Sequence, residues 1–375
     1  MTCQDLAICY YQLQMLKTLM ITSVVVLALI GAGITLKDFP KPSLKEPNKE
    51  TIKDVQKEET KTPENIIVIA KGLEVPWALA FLPDKSILIT ERKGIVRLIK
   101  DGVLVANPIA KINVKQTGES GLHGIAIDPK FNENFFVYLY YTYSDNGNNT
   151  LNRVSRFTYS NETLESEKII VDKIPGAIFH DGGRLKFGPD GYLYITTGDA
   201  GNPSQSQNKN SLAGKVLRIV NDKIEVYSYG HRNPQGITWD DKGNLWESEH
   251  GNSATDEINF IEQGKNYGWP TIKGDENQTG LISPRLHSGT NTWAPAGLAY
   301  VNGSLYFGGL RGTALFQYNP ETKELKEHFK NEYGRIRDVV VGPDSMLYIT
   351  TSNKDGRGKP GVDDDKIIQI NPSSL

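Results

Sequence analysis

Arg184-Leu185-Lys186-Phe187-Gly188-Pro189-Asp190-Gly191-Tyr192-Leu193-Tyr194-Ile195-Thr196 sets two short apolar runs on either side of a Gly-Pro-Asp-Gly turn. Proline presets φ, aspartate bonds the backbone two residues on, and glycine accepts a left-handed conformation, so the stretch reads as a β-hairpin. The hairpin recurs along the chain. It returns as PWALAFLPD (76–84) with ILIT (87–90), GIAIDP (124–129) with VYLY (137–140), and GITWDD (236–241) with NLW (244–246). The last copies are AGLAY (296–300) with SLYFG (304–308) and RDVVVGPD (337–344) with MLYIT (346–350). Each copy is followed by a further strand pattern: 96–99, 154–157, 215–219, 257–260, 314–317 and 366–370. Repeats of one hairpin, roughly 40 to 60 residues apart, match the blade length of a propeller. The expected fold is all-β, a six-bladed β-propeller over residues 65–375. A sandwich does not call for this regular repeat, and helical periodicity is almost absent.

Two segments precede the repeats. Residues 19–36 (LMITSVVVLALIGAGITL) carry no charge and reach about the length that spans a bilayer. Residues 1–36 are therefore expected to be a targeting or anchor segment, either cleaved after Gly33 or retained, with Met15 as an alternative start. Lys37, Lys41, Lys45 and Lys49 outnumber Lys17, a bias that by itself opposes translocation. The expectation nevertheless is export to the outer side of the cytoplasmic membrane, with contact to the membrane only through this segment. Residues 37–64 are rich in Lys, Glu, Pro and Thr and bury too little apolar surface to fold, which makes them a linker.

The formal net charge of -2 gives no bulk attraction to nucleic acid, which is not an expected partner. Both cysteines, Cys3 and Cys9, lie before the apolar segment, so the repeats contain neither a disulfide nor a thiolate metal site.

A propeller gathers residues flanking its inner strands around one channel mouth. Glu119, His180, Asp199, Arg232, Asn233, His250, Arg311, Arg335 and Arg337 all adjoin the repeated hairpins in this way. Arginines crowded at one mouth repel unless an anion lies among them, and guanidinium forks suit carboxylates. A small polycarboxylate is the guest this pattern predicts. Arg335 and Arg337 alternate along one strand and are expected to point the same way. His231 reads as a structural hydrogen-bond former, Asp363-Asp364-Asp365 as a solvated acidic turn, and most Trp and Tyr residues as blade core. Asn148, Asn161, Asn277 and Asn302 begin N-x-Ser/Thr sequons in expected turns.

HDGGRL (180–185), TGD (197–199), GKVLR (214–218), GHRNPQG (230–236), DEIN (256–259), NYGWP (266–270) and RIRDV (335–339) together resemble the soluble quinoprotein glucose dehydrogenase and aldose sugar dehydrogenase family. The resemblance implies a six-bladed propeller that binds pyrroloquinoline quinone (PQQ) and calcium and oxidises the C1 hydroxyl of aldose sugars to lactones. Its partners would be the sugar and an external electron acceptor. It implies His180 as the general base, Asp199 as the carboxylate that holds it, and Arg232 as the cation facing the quinone oxygens, with Asn233 beside it. Arg311, Arg335 and Arg337 match residues on the cofactor carboxylates, and Glu119 a polar position facing substrate or cofactor. Gly251 and Asn252 match carbonyl ligands of a calcium ion, while Glu257 and Tyr267 match a further calcium site. Two positions depart from the family pattern: Asn252 stands where proline is usual, and His123, where leucine is usual, is expected to add an imidazole near the rim. The alternatives are a calcium-dependent lactonase-type hydrolase and a non-catalytic ligand-binding propeller.

Overall fold

The computed structural model describes residues 65–375, and the two leading segments lie outside them. Six antiparallel sheets follow one another around a central channel. Blade 1 starts with inner strand Pro76–Phe81, blade 2 with Leu122–Ile127, and blade 3 with Leu185–Phe187. The inner strands of blades 4, 5 and 6 are Pro234–Trp239, Pro295–Val301 and Ile336–Val341. The first strand of the described chain, Ile66–Ala70, pairs with the last, Ile367–Ile370, and becomes the outer strand of blade 6. Pairing of the first described strand with the last closes the ring.

The repeated hairpin carries its own fastening. Between first and second strands, the side-chain oxygens of Asp84, Asp128, Asp190, Asp240 and Asp344 accept the amide two residues on. In four of these turns the second carboxylate oxygen also takes a donor from the following strand: Tyr138, Tyr194 and Tyr348 through their hydroxyls, Trp246 through its indole. Local turn chemistry and strand register thus agree.

Adjacent blades are joined at the opposite end of the second strand. Thr90, Thr196, Ser248 and Thr350 donate their hydroxyls to carbonyls of the next blade's entry, at His123, Pro234, Ala296 and Pro76. Five inner strands carry a register shift near their start, at Pro76/Ala78, Leu122/Ile125, Pro234/Gly236, Pro295/Leu298 and Ile336/Asp338. Such bulges re-aim side chains. The core is a series of apolar layers between blades, among them Leu79, Ile125, Leu185, Ile237, Leu298 and Val339, all buried.

Two expectations are corrected here. His123 does not stand at the rim: it is 2% exposed and stacks between Trp77 and Tyr140, with Nε2 against the Glu119 carbonyl at 3.0 Å. Flat rings on both sides hold it as a core residue. Nor is the triple-aspartate segment a solvated turn throughout. Asp363 is exposed, but Asp365 is fully buried and accepts the amides of Val75 and Asn353 and the hydroxyl of Thr351. It ties blade 6 to the entry of blade 1. His231 is structural as expected, bonded to Ser228 and Glu249.

Candidate active site

The loops before the inner strands and after the second strands meet at one channel mouth. His180 sits there in a left-handed backbone conformation (φ 62°), followed by Gly182 and Gly183, also left-handed. That sharp turn needs a partner without a side chain. A Cβ on Gly198 would run into the His180 carbonyl, so glycine allows the two loops to touch. The imidazole Nδ1 lies 2.7 Å from Asp199 Oδ1. Because a carboxylate only accepts, Nδ1 carries the proton and Nε2 keeps its lone pair for the open side of the site. Asp199 is itself fully buried, accepting the Gly201 amide at 2.8 Å and the Trp269 indole at 2.9 Å.

Arg232 Nη1 donates to the His250 carbonyl at 3.1 Å, and its guanidinium lies over the Trp269 ring. Asn233 gives its side-chain carbonyl to the Gly182 amide at 3.1 Å, which leaves its Nδ2 without a partner. Arg335 and Arg337 point the same way, as expected, beside a register shift between Ile336 and Asp338. Their Nη2 atoms lie 2.8 and 3.9 Å from one oxygen of Asp355. Arg337 also donates to Gln235 at 2.7 Å.

Sequence reading missed three charged members of this mouth. Arg92 lies behind Asp355, bonded to its carbonyl at 3.4 Å, and Arg357 donates to Glu119 at 2.6 Å across the opening. Asp355 and Arg357 come from the loop after blade 6's second strand, which has no strand periodicity to draw attention to it. Arg311 is exposed and lines a cavity of about 570 Å³ with Arg335 and Arg357. Burial opposes the charge of Glu119, but His250, Arg357 and Arg337 outweigh it and hold the carboxyl at about 2. Burial also lowers Arg92, Arg232 and Arg337 from the usual guanidinium value, although arginine keeps its proton at neutral pH. Burial pushes His250 down to about 4, so it is neutral at pH 7 and charged only in the acid range where Glu119 titrates, and its Nε2 is unpartnered.

The candidate metal positions fall in two places. Gly251 and Asn252 lie in a loop pinned by Asp256, which accepts the Gly251 amide at 2.8 Å and the Trp293 and Ala294 amides. Glu257 belongs to a buried acidic patch with Glu247 and Glu249 in blade 4, where burial and like charges raise Glu257 and Glu247 well above the usual carboxyl range. His231, Glu247 and Glu249 bring ligand atoms within 4.8 Å of one another. Tyr267 stacks on His231, and its hydroxyl is already engaged by the Phe260 carbonyl and Glu262 amide.

A propeller with a histidine–carboxylate pair beside an arginine-lined mouth defines the class, and residues 73–359 match the Glucose / Sorbosone dehydrogenase family; the chain belongs to it. It is 30% identical to the aldose sugar dehydrogenase YliI of Escherichia coli (strain K12), over 78% of this chain and 91% of that protein. It is 32% identical to quinoprotein glucose dehydrogenase B of Acinetobacter calcoaceticus, over 60% of this chain and 56% of that one. Among solved structures, the PQQ-bound aldose sugar dehydrogenase of Streptomyces coelicolor superposes with a TM-score of 0.76 at 35% identity, covering 82% and 97% of the two chains.

Proposed function

We propose that this chain oxidises the C1 hydroxyl of aldose sugars to lactones with PQQ and calcium, and passes the electrons to an external acceptor. The observation that carries the reading is a set of buried donors with no partner around one mouth: Arg92 Nε, Arg232 Nε, Arg337 Nε and Asn233 Nδ2. Orphaned donors of this kind are costly unless an acceptor-rich guest meets them. A tricarboxylate ortho-quinone is such a guest, and the Streptomyces coelicolor relative holds one. When bound, the quinone supplies the hydride acceptor.

The protein's own residues do the rest. His180 Nε2 takes the hydroxyl proton as the C1 hydride departs, and Asp199 fixes the tautomer and balances the imidazolium. Arg232 and Asn233 would hold the quinone oxygens, the first supplying a fixed cation for negative charge there. Arg311, Arg335 and Arg337 hold the carboxylates, with Arg92 alongside. Glu119, ionised and tied to Arg357, faces the sugar. Gly251 and Asn252 would hold the calcium at the quinone through their carbonyls. A second calcium ion at Glu257 and Tyr267 would relieve the acidic patch, where Glu247 Oε1 and Asn259 Oδ1 are buried without partners.

The test is a titration of the calcium-loaded protein with PQQ, followed by aldoses while quinone absorbance is recorded. Saturable binding with sugar-dependent bleaching is expected, and His180→Gln should bind quinone without turnover. Absence of quinone binding would overturn the reading and direct attention to lactone hydrolysis.

Among the described residues no helix is long and apolar enough to cross a membrane. On the strength of residues 19–36 we propose export, with residues 37–64 as the linker to the propeller. Protease shaving of intact cells should release the dehydrogenase or degrade it; full protection would place it inside.

A further inference from the structure

The channel has a second mouth, at the turn end of the inner strands, far from His180. Ladder register defines what faces it. Ala78, Gly236 and Asp338 stand opposite Thr90, Ser248 and Thr350, and at the matching place in blade 3 Arg184 accepts the Thr196 amide and donates its own amide to Thr196 Oγ1. Two residues further along, the layer reads Ala80, Ala126, Lys186, Thr238, Ala299 and Val340. Small or apolar side chains fill every position but two, and one of those is a lysine.

Lys186 Nζ donates to Thr238 Oγ1 at 3.0 Å and, among the described residues, pairs with no carboxylate. Asp338, the acid of the adjacent layer, is already committed. Its Oδ1 takes Arg184 Nη1 at 2.8 Å and the Val339 amide at 3.0 Å, and its Oδ2 takes the Leu79 amide at 3.0 Å. Arg184, 6% exposed, retains one donor, Nη2, with no partner. Arg184 and Lys186 line a cavity of about 630 Å³ whose other walls include Phe81, Phe187 and Trp239. Two cations thus face one carboxylate in an apolar setting, which leaves a single positive charge and spare donors unmet. Lys186 keeps part of its surface open to the cavity, and a carboxylate arriving there supplies both the countercharge and the acceptors.

We propose that this second mouth binds a small monocarboxylate with an apolar body. The carboxylate pairs with Lys186 Nζ on the Arg184 side of the cavity, and the apolar part rests against Phe81, Phe187 and Trp239. The site does not depend on the redox reading, although Arg184 shares Trp77 and Gln235 with Arg337 of the arginine mouth. Burial lowers Lys186 to about 8, so the ammonium persists at neutral pH and is lost in mild alkali.

The test is isothermal titration of the whole protein with benzoate, its neutral isostere benzamide, and chloride. Benzoate should bind saturably, with benzamide at least tenfold weaker. Lys186→Met should weaken benzoate at least tenfold and Lys186→Arg should restore it, whereas Arg311→Gln at the other mouth should leave it unchanged. Equal affinity for benzoate and benzamide, no saturable binding, or no response to Lys186→Met would each overturn the proposal. Complete displacement of benzoate by equimolar chloride would show an inorganic-anion site and refute the apolar half. Should Lys186→Met not fold, raising the pH of the wild type from 7 to 9.5 makes the same test. The charged groups facing Lys186 are Asp338 and Arg184, and a loss of less than threefold would refute the role of the ammonium.

Discussion

Asp199→Asn isolates what the buried carboxylate does for His180. Asp199 Oδ1 accepts from His180 Nδ1 at 2.7 Å and from the Gly201 amide at 2.8 Å, while Oδ2 accepts from the Trp269 indole at 2.9 Å. An asparagine has one oxygen for these three donors. With that oxygen toward His180 and Gly201 it keeps two bonds and sets its NH2 against the indole. Turned round, it satisfies Trp269 but opposes the Gly201 amide and forces the wrong imidazole tautomer. The first orientation is favoured, so the tautomer survives and the charge is lost. Two unit charges about 4 Å apart at an effective dielectric of about 20 interact by about 4 kcal/mol. That attraction exists only once His180 holds the substrate proton. Its loss raises the barrier by the same amount, about three decades in kcat. Stopped-flow reduction of the quinone-loaded enzyme by saturating aldose would measure it, with quinone affinity as the control. A variant that retained kcat within tenfold and bound quinone normally would refute the assignment of Asp199 as the charge partner of the base.

Arg337→Gln removes a charge-assisted bond of about 1.5–3 kcal/mol to the cofactor, so quinone affinity should fall about 10- to 100-fold by titration. Burial holds His123 at about 3, below its unfolded value. Its contribution is therefore complete above about pH 6.5 and lost as pH falls toward 3, and His123→Leu should flatten that limb of a Tm-versus-pH series. Lys215, fully buried, gives its ammonium to the carbonyls of Gln205, Ser206 and Ala213. Lys215→Met should lower stability by about 2–4 kcal/mol in urea unfolding by stranding those carbonyls, and a change under 1 kcal/mol would contradict this role.

The blades were legible because each is written locally: a turn aspartate, an apolar strand on either side, and an aromatic residue that reaches back to the turn. The gathering of His180, Asp199, Arg232, Arg335 and Arg337 at one mouth was legible because all flank the repeats, while the pairing of His180 with Asp199 came from the family resemblance. Asp355, Arg357 and Arg92 were not, since only ring closure brings the blade 6 loop against blade 1. His123 misled for a related reason. Its burial comes from Trp77 of one blade and Tyr140 of its own second strand, contacts that a linear pattern of charge and polarity does not carry. Likewise Asp365 looks solvated beside Asp363 until Val75 and Asn353 are placed around it.

The pairing of Ile66 with Ile370 has a kinetic consequence. The strand made first must wait for one made 304 residues later, and at ~5–20 residues per second that delay is roughly 15 to 60 s during synthesis. Throughout that interval the outer edge of the last blade cannot exist and the ring stays open. The closed ring forms only after the strand Ile367–Ile370 has been made.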